Sequence, residues 1–305
     1  MSQRSYPIPA RLNLAIAGGV CVVCATLLAF AGRVESGWAV AALACAYAIV
    51  MNTGYAIIHE AEHALLHPNQ HVNDLAGAIV SIFFPASYHL RRFGHIGHHL
   101  RNRTDDEAFD VYFPEDNAVW KHLQFYGILT GFFWLVIFLS NFAAAISPRL
   151  LCKKLSFDRP TAALQETFNP QHFTLIRIEA IAVITFHAIM LLVLHISFWK
   201  YFAVIFGFGF LWSTLQYLHH FGTVRDVQRG AWNVRIWRAL DGLWLNHGWH
   251  LNHHLHPTVP WIYLSQLTPD DGAPLPFWKA YLQMWRGPRF TTERVPNRHA
   301  GRIIK

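Results

Sequence analysis

Charged side chains make up only 14% of this 305-residue chain, against 53% hydrophobic and 15% aromatic residues. A soluble domain carries about a quarter charged residues, so the shortage points to a membrane protein. Acidic residues are fewer than basic ones, 18 against 25, giving a net charge of +7. No long basic run or aromatic-basic recognition module accompanies that charge, which excludes a nucleic-acid partner. Lys and Arg instead lie in loops beside apolar runs, as the positive-inside rule expects. Cysteine is scarce too. Cys21, Cys24 and Cys45 fall inside apolar runs and Cys152 beside Lys153, which excludes a disulfide framework or a soluble zinc knuckle. The Cys21–Cys24 CxxC reads as small packing residues within a hydrophobic helix. The chain has no CxxCH, no GxGxxG in a strand-to-helix setting and no room for a fused haem domain.

Long apolar runs are plentiful. A span needs on the order of 20 apolar residues to cross about 30 Å of hydrocarbon. Residues 12–32 and 38–58 meet that length, and Arg33–Gly37 between them makes a hairpin. The first run has no polar region or cleavage site after it, so it reads as a retained span rather than a signal peptide. Arg4 and Arg11 place the starting side in the cytoplasm. Residues 178–198 and 201–218 form a second hairpin around Trp199 and Lys200. Residues 73–88, interrupted by Pro85, and residues 125–146, bounded by the polar segment 101–116 and by Arg149, Lys153 and Lys154, read as interfacial or re-entrant. The expected fold is an all-α integral membrane protein of one domain, residues 1–305. It has four transmembrane helices in two hairpins, both termini inside, and a cytoplasmic helical cap from residues 59–124, 149–175 and 219–305.

Histidine is the residue in excess, with 20 copies. Three groups stand out: His59-Glu-Ala-Glu-His63, His95-Ile-Gly-His98-His99 and His250-Leu-Asn-His253-His254. Helical residues at i, i+3 and i+4 share a face, so each group can aim its imidazoles at one point. Random placement at this frequency gives roughly a tenth of one HxxHH per chain, and this chain has two. Eight histidines exceed the needs of one tetrahedral zinc, so the count argues for two metals, and all-imidazole ligation suits iron, copper or zinc. His220, directly after the fourth span, is the preferred ninth ligand, with His219 the alternative because neighbouring helical residues point about 100° apart. Isolated histidines such as His122, His172 and His299 read as surface residues. His187 and His195 sit in a predicted span, where polar groups are expensive. Glu60, Glu62, Asp106, Asn246 and His219 are candidates for orienting the ligands, with Asp105, Glu107 and Asp110 in the same acidic stretch as Asp106. Arg91, Arg92, Arg101, Arg103, Arg225 and Arg229 form a candidate basic surface for an acidic electron donor or a lipid headgroup.

At this point the chain resembles the membrane fatty acid desaturase family, whose members carry an HxxxH or longer first box followed by two HxxHH boxes. Box order and spacing match over about residues 38–265, and Asn246-His-Gly-Trp-His250-Leu-Asn-His-His254-Leu-His-Pro257-Thr-Val-Pro260-Trp261 is similar to the NxGYHxxHHxFPxxPW wording of lipid and sphingolipid desaturases. His247, Trp249 and His256 depart from that wording outside the box positions. The resemblance implies two iron ions, with O2 as co-substrate, a fatty acyl lipid substrate and electrons from a separate ferredoxin or cytochrome. It implies His59, His63, His95, His98, His99, His250, His253 and His254 as ligands, and a home in the cytoplasmic membrane of a bacterium. Hydroxylation and alkene-forming decarboxylation use similar boxes in the same superfamily.

Two other readings compete. His59-Glu60-x-x-His63 is literally HExxH, the signature of a zinc protease, with Asp241 as a candidate third ligand. A bis-histidine haem protein would use His187 or His195. Gly207 and Gly209 in the fourth span would either leave room for an acyl chain or pack helices closely, with packing preferred.

Overall fold

The computed structural model describes residues 6–151, 159–267 and 273–304, so Cys152, Lys153 and Lys154 lie outside the described residues. Four helices are long and apolar enough to cross a membrane: α1 (Ala10–Ala31), α2 (Gly37–Glu62), α8 (Phe173–Val193, prolonged backwards by a 3-10 turn from Pro170) and α9 (Phe198–Leu218). The third of these is displaced from the expected 178–198. It begins earlier, and the chain leaves it at Leu194, where His195 takes a positive φ of 48° in the turn. The second runs past Ile58 to Glu62. Its 26 residues extend about 39 Å, more than a bilayer core needs, and His59 lies in its last turn.

The expected 73–88 element is α3 (Gln70–Phe83), which ends just before Pro85, and a second helix, α4 (Tyr88–Arg101), follows it and carries the second histidine box. Their apex lies among α2, α8 and α9, where water cannot satisfy a helix end. Four successive carbonyls there are met by side chains of other helices. Ile82 accepts from His187 Nε2 at 2.8 Å, Phe83 from the Tyr47 hydroxyl at 2.7 Å, Phe84 from Trp134 Nε1 at 3.0 Å and Pro85 from Asn141 Nδ2 at 3.0 Å. The start of α4 is met in the same way. Glu179 accepts from the His89 backbone N–H and the Ser87 hydroxyl, and Asn141 from the Ser87 N–H. His187 is therefore a structural donor, its Nδ1 taking the Tyr201 hydroxyl at 2.6 Å.

The expected 125–146 element is also bent. Helices α5 (Ala118–Leu129) and α6 (Phe132–Ile146) meet at 87° across Gly131, whose φ of +86° suits glycine. At the bend the pair lies against Phe206 and Phe210 of α9, while Tyr126 bonds to Trp285 and Ala145 accepts from Arg177. Gly209 lies against the Trp134 ring and Gly207 against Ala44, so both glycines serve close helix packing. The rest of the described chain gathers at the end where α2 and α9 finish: α7 (Arg159–Glu166), α10 (Arg238–Leu243), α11 (His250–Leu255), α12 (Trp261–Leu264) and α13 (Phe277–Met284). Two short parallel pairs brace it, β1 (Val111–Tyr112) with β4 (Arg289–Phe290) and β2 (Val234–Arg235) with β3 (Leu275–Pro276).

Candidate metal centre

Helix α2 delivers His59 and His63, α4 delivers His95, His98 and His99, the turn after α9 delivers His220, and α11 delivers His250, His253 and His254. Their nitrogens form two groups, His59, His63, His95 and His253 in one and His98, His220, His250 and His254 in the other, all ligand atoms of each lying within 4.8 Å of one another. His99 stands where the groups meet. Its Nε2 is 2.9 Å from His253 Nε2 and 3.2 Å from His95 Nε2, and its ring stacks on His254. Each HxxHH box is thus divided. His95 and His99, one turn apart, face the first group while His98 turns to the second. His250 and His254 face the second group while His253 turns to the first. The expectation that a box aims at a single point is replaced by one in which the i, i+4 pair and the residue between them serve different groups.

The ring nitrogens converge in close pairs. His63 and His95 approach Nε2 to Nε2 at 2.8 Å, His220 and His250 at 3.1 Å, and His98 and His254 at 3.3 Å. Burial lowers the pKa of His95, His99, His220, His250, His253 and His254 well below the usual imidazole value, and the neighbouring imidazoles lower it further. Burial likewise lowers His63 to about 3. Inward-facing imidazole nitrogens in two groups of four are the donor set of a soft-to-borderline metal cation, and the two groups, with His99 between them, fit two such ions. Two of them have fixed tautomers. Glu107 takes His98 Nδ1–H at 2.5 Å, and the Gly230 carbonyl takes His220 Nδ1–H at 2.8 Å, leaving each Nε2 free to face the group.

The other expected residues fall in different places. Glu60 accepts from the Trp261 backbone N–H and Glu62 from Arg91, so these carboxylates join elements rather than orient an imidazole. Asp106 accepts from Asn297, and its neighbour Glu107 does the orienting. Asn246 donates to the Trp261 carbonyl from a left-handed backbone, which turns the chain into α11. His219 lies outside both groups, its ring 4.6 Å from that of His250 and its Nδ1 without a partner. Asn252 and Asn233, which the spacing did not single out, hold α11 in place. They bond reciprocally, and the Asn252 amide also reaches Leu264 and Leu267. Asp241 accepts from the Gly248 N–H and belongs to neither histidine group. The expected basic surface is largely interior. Arg91, Arg101, Arg103 and Arg225 are paired with Glu62, Glu107, Asp110 and Asp105, and their side chains are almost wholly buried.

A cavity lies against the centre, lined by Ala56, His59, Glu60, His247, His250 and Trp261 among others. Compared with known families, the chain matches the model described as "Fatty acid desaturase" over residues 36–285, which contains every histidine of the two groups. No curated protein matches it.

Proposed function

Because the chain belongs to the fatty acid desaturase family, we propose that it is a membrane di-iron oxidoreductase that introduces a double bond into a fatty acyl lipid with O2 as oxidant. The observation that carries this reading is the pair of inward-facing histidine groups at the end of four apolar helices. When bound, the two irons supply the oxygen-derived oxidant that abstracts hydrogen from an unactivated methylene. The balance is a CH2–CH2 pair, O2, two electrons and two protons converted to CH=CH and two waters, with the electrons brought by a ferredoxin or cytochrome.

The chain's own residues do the rest. Nine imidazoles hold the ions, Glu107 and the Gly230 carbonyl fix two of the tautomers, and Asn252 sets α11 against them. The apolar helices give a lipid chain access from the bilayer while the polar end remains open to solvent components. The centre faces the cytoplasm in this reading, in the inner membrane of a bacterium, with the α3–α4 and α5–α6 pairs dipping into the bilayer from that side. Neither rival reading finds support. Glu60 is engaged by Trp261, Asp241 stands apart from His59 and His63, and both nitrogens of His187 are taken.

The test is metal content and lipid products from cells expressing the wild type and His98→Ala with iron supplied. About two irons per chain and new unsaturated acyl chains in the wild type, both diminished in His98→Ala, are expected. Hydroxylated or shortened products would keep the centre and change the reaction. One zinc and unchanged lipids would overturn the proposal.

A further inference from the structure

Helix α13 carries apolar side chains on two sides. Ala280 and Met284 are buried in one cluster with Leu215 and Leu218 of the last turn of α9, directly before His219 and His220. On the other side Trp278, Leu282 and Trp285 lie at i, i+4 and i+7, a single helical stripe, and are 70%, 64% and 44% exposed. The stripe has apolar neighbours. Trp285 stacks against Tyr126 of α5, whose hydroxyl bonds to the Trp285 carbonyl, and α5 exposes Val119 and Leu123. Past Gly131 the same apolar surface continues on α6, where Phe132, Val136 and Leu139 are exposed. The parallel pairing of Val234 with Leu275 and of Arg235 with Pro276 sets the starts of α10 and α13 side by side, each next to an exposed tryptophan, Trp237 and Trp278. The charge around the stripe has one sign. Lys279, Arg286 and Arg289 are exposed, and no acidic residue lies between Gly272 and Thr292.

A contiguous exposed apolar surface marks either a protein partner or a membrane. We propose that α13 is a lipid anchor for the metal-centre end of the molecule: its outward stripe enters the hydrocarbon of the leaflet on that side, and Lys279, Arg286 and Arg289 hold the phosphates of anionic phospholipids. Three observations favour a leaflet over a protein. The stripe is continuous, through α5, with the exposed apolar side chains of α6. Tryptophans interleaved with Lys and Arg suit a bilayer boundary, where the rings sit at headgroup level and the cations meet anionic lipid. The buried side of α13 packs on α9 at the turn where that apolar helix ends, which sets α13 at the boundary. Because the same turn leads into His219 and His220, the anchor fixes the height of the metal centre relative to the leaflet. This inference stands on the membrane fold and holds whichever reaction the centre carries out.

The test places the full-length protein, one copy per disc, in lipid nanodiscs of phosphatidylcholine and phosphatidylglycerol. Leu282→Cys and Gln228→Cys, the latter in an exposed polar loop, are each treated with a charged, membrane-impermeant maleimide, and the modified peptide is measured by mass spectrometry so that the native cysteines do not interfere. Leu282→Cys is expected to react at least about tenfold more slowly than Gln228→Cys, and equally fast once the protein is denatured, since partition into hydrocarbon withholds the thiol from a charged reagent. Trp278→Cys, also at an exposed position, is the second probe should the first variant fold poorly. Labelling of both stripe positions as fast as Gln228→Cys would put the stripe in water and overturn the anchor. Protection that appears only in discs holding two copies would make a second copy the occupant, which also overturns it. The cations are tested by incubating detergent-purified protein with equal phosphatidylglycerol and phosphatidylcholine and measuring what remains after gel filtration. Lys279→Gln/Arg286→Gln/Arg289→Gln should lower the retained ratio of anionic to zwitterionic lipid at least about fivefold, the effect of one basic side chain at an anionic surface. An unchanged ratio would remove the headgroup contact.

Discussion

Glu107 shows how one carboxylate can govern a ligand without touching a metal. Burial works against its charge, but Arg101 and His98 offset this and hold the carboxyl below the usual carboxylate range. An ionised acceptor on His98 Nδ1–H keeps the Nε2 lone pair directed at the second group. Replacing Glu107 with Gln keeps the shape and removes the charge. Metal affinity, followed by competition with a chelator, is expected to fall about 10–100-fold, the usual effect of losing such a partner. Unchanged affinity would mean that His98 is oriented by packing alone. The same neutral imidazoles make the metal-free protein acid-sensitive. Their folded pKa values lie below the unfolded value of about 6.5, so below that pH the unfolded chain binds more protons than the folded one. Stability is therefore fully present above about pH 6.5 and lost as pH falls toward the depressed folded values. Each such histidine contributes at most about 1.4 kcal/mol per pH unit in that window. Metal-free protein should melt at a clearly lower temperature at pH 5.5 than at pH 7.5, and equal melting at both would contradict the neutral cluster.

At the scale of elements, the membrane helices and box histidines were legible because length, hydropathy and 3.6-residue spacing are properties of local sequence. The turns inside the apolar region were not. Residues 73–88 read as a short apolar piece interrupted at Pro85, and α3 does end there, but what makes the turn into α4 tolerable is spread over the chain in Tyr47, Trp134, Asn141 and His187. No window of sequence contains those four donors together. The division of each HxxHH between two groups was likewise hidden, because it depends on how α4 and α11 are rotated against one another. The apex contacts make a direct prediction. Tyr47→Phe strands the Phe83 carbonyl where water cannot reach it and should cost about 1–3 kcal/mol. Thermal unfolding in detergent should show it, while the nitrogen atoms of both histidine groups, and hence the metal content at low temperature, stay as they are. A Tyr47→Phe variant as stable as the wild type would mean that the apex carbonyl finds another donor.

The whole molecule extends the metal centre's support beyond the residues that define the family. The family match ends at residue 285, yet the chain after β4 lies across the loop that follows the second histidine box. Asp105 and Val295 bond reciprocally, Asp105 N–H to the Val295 carbonyl at 2.8 Å and Val295 N–H to Asp105 Oδ1 at 2.9 Å. Asn297 donates to Asp106, the Gly301 N–H to Glu166 and the Ile304 N–H to the Thr167 carbonyl. Asp105 and Asp106 immediately precede Glu107, so residues 291–304 hold in place the loop that orients His98. No histidine group is in this segment, and the box pattern gave no reason to look for one of its supports there. Ending the chain after Phe290 keeps every ligand and every apolar helix while releasing that loop. The truncated protein should still insert in membranes and retain the first group's affinity for metal, but lose metal preferentially from the group containing His98, His220, His250 and His254. Metal analysis after stepwise chelation tests this: a truncation that gives up one ion per chain at a chelator concentration the full-length protein withstands supports the tie, whereas identical release from both would show that the loop holds its shape without the strap.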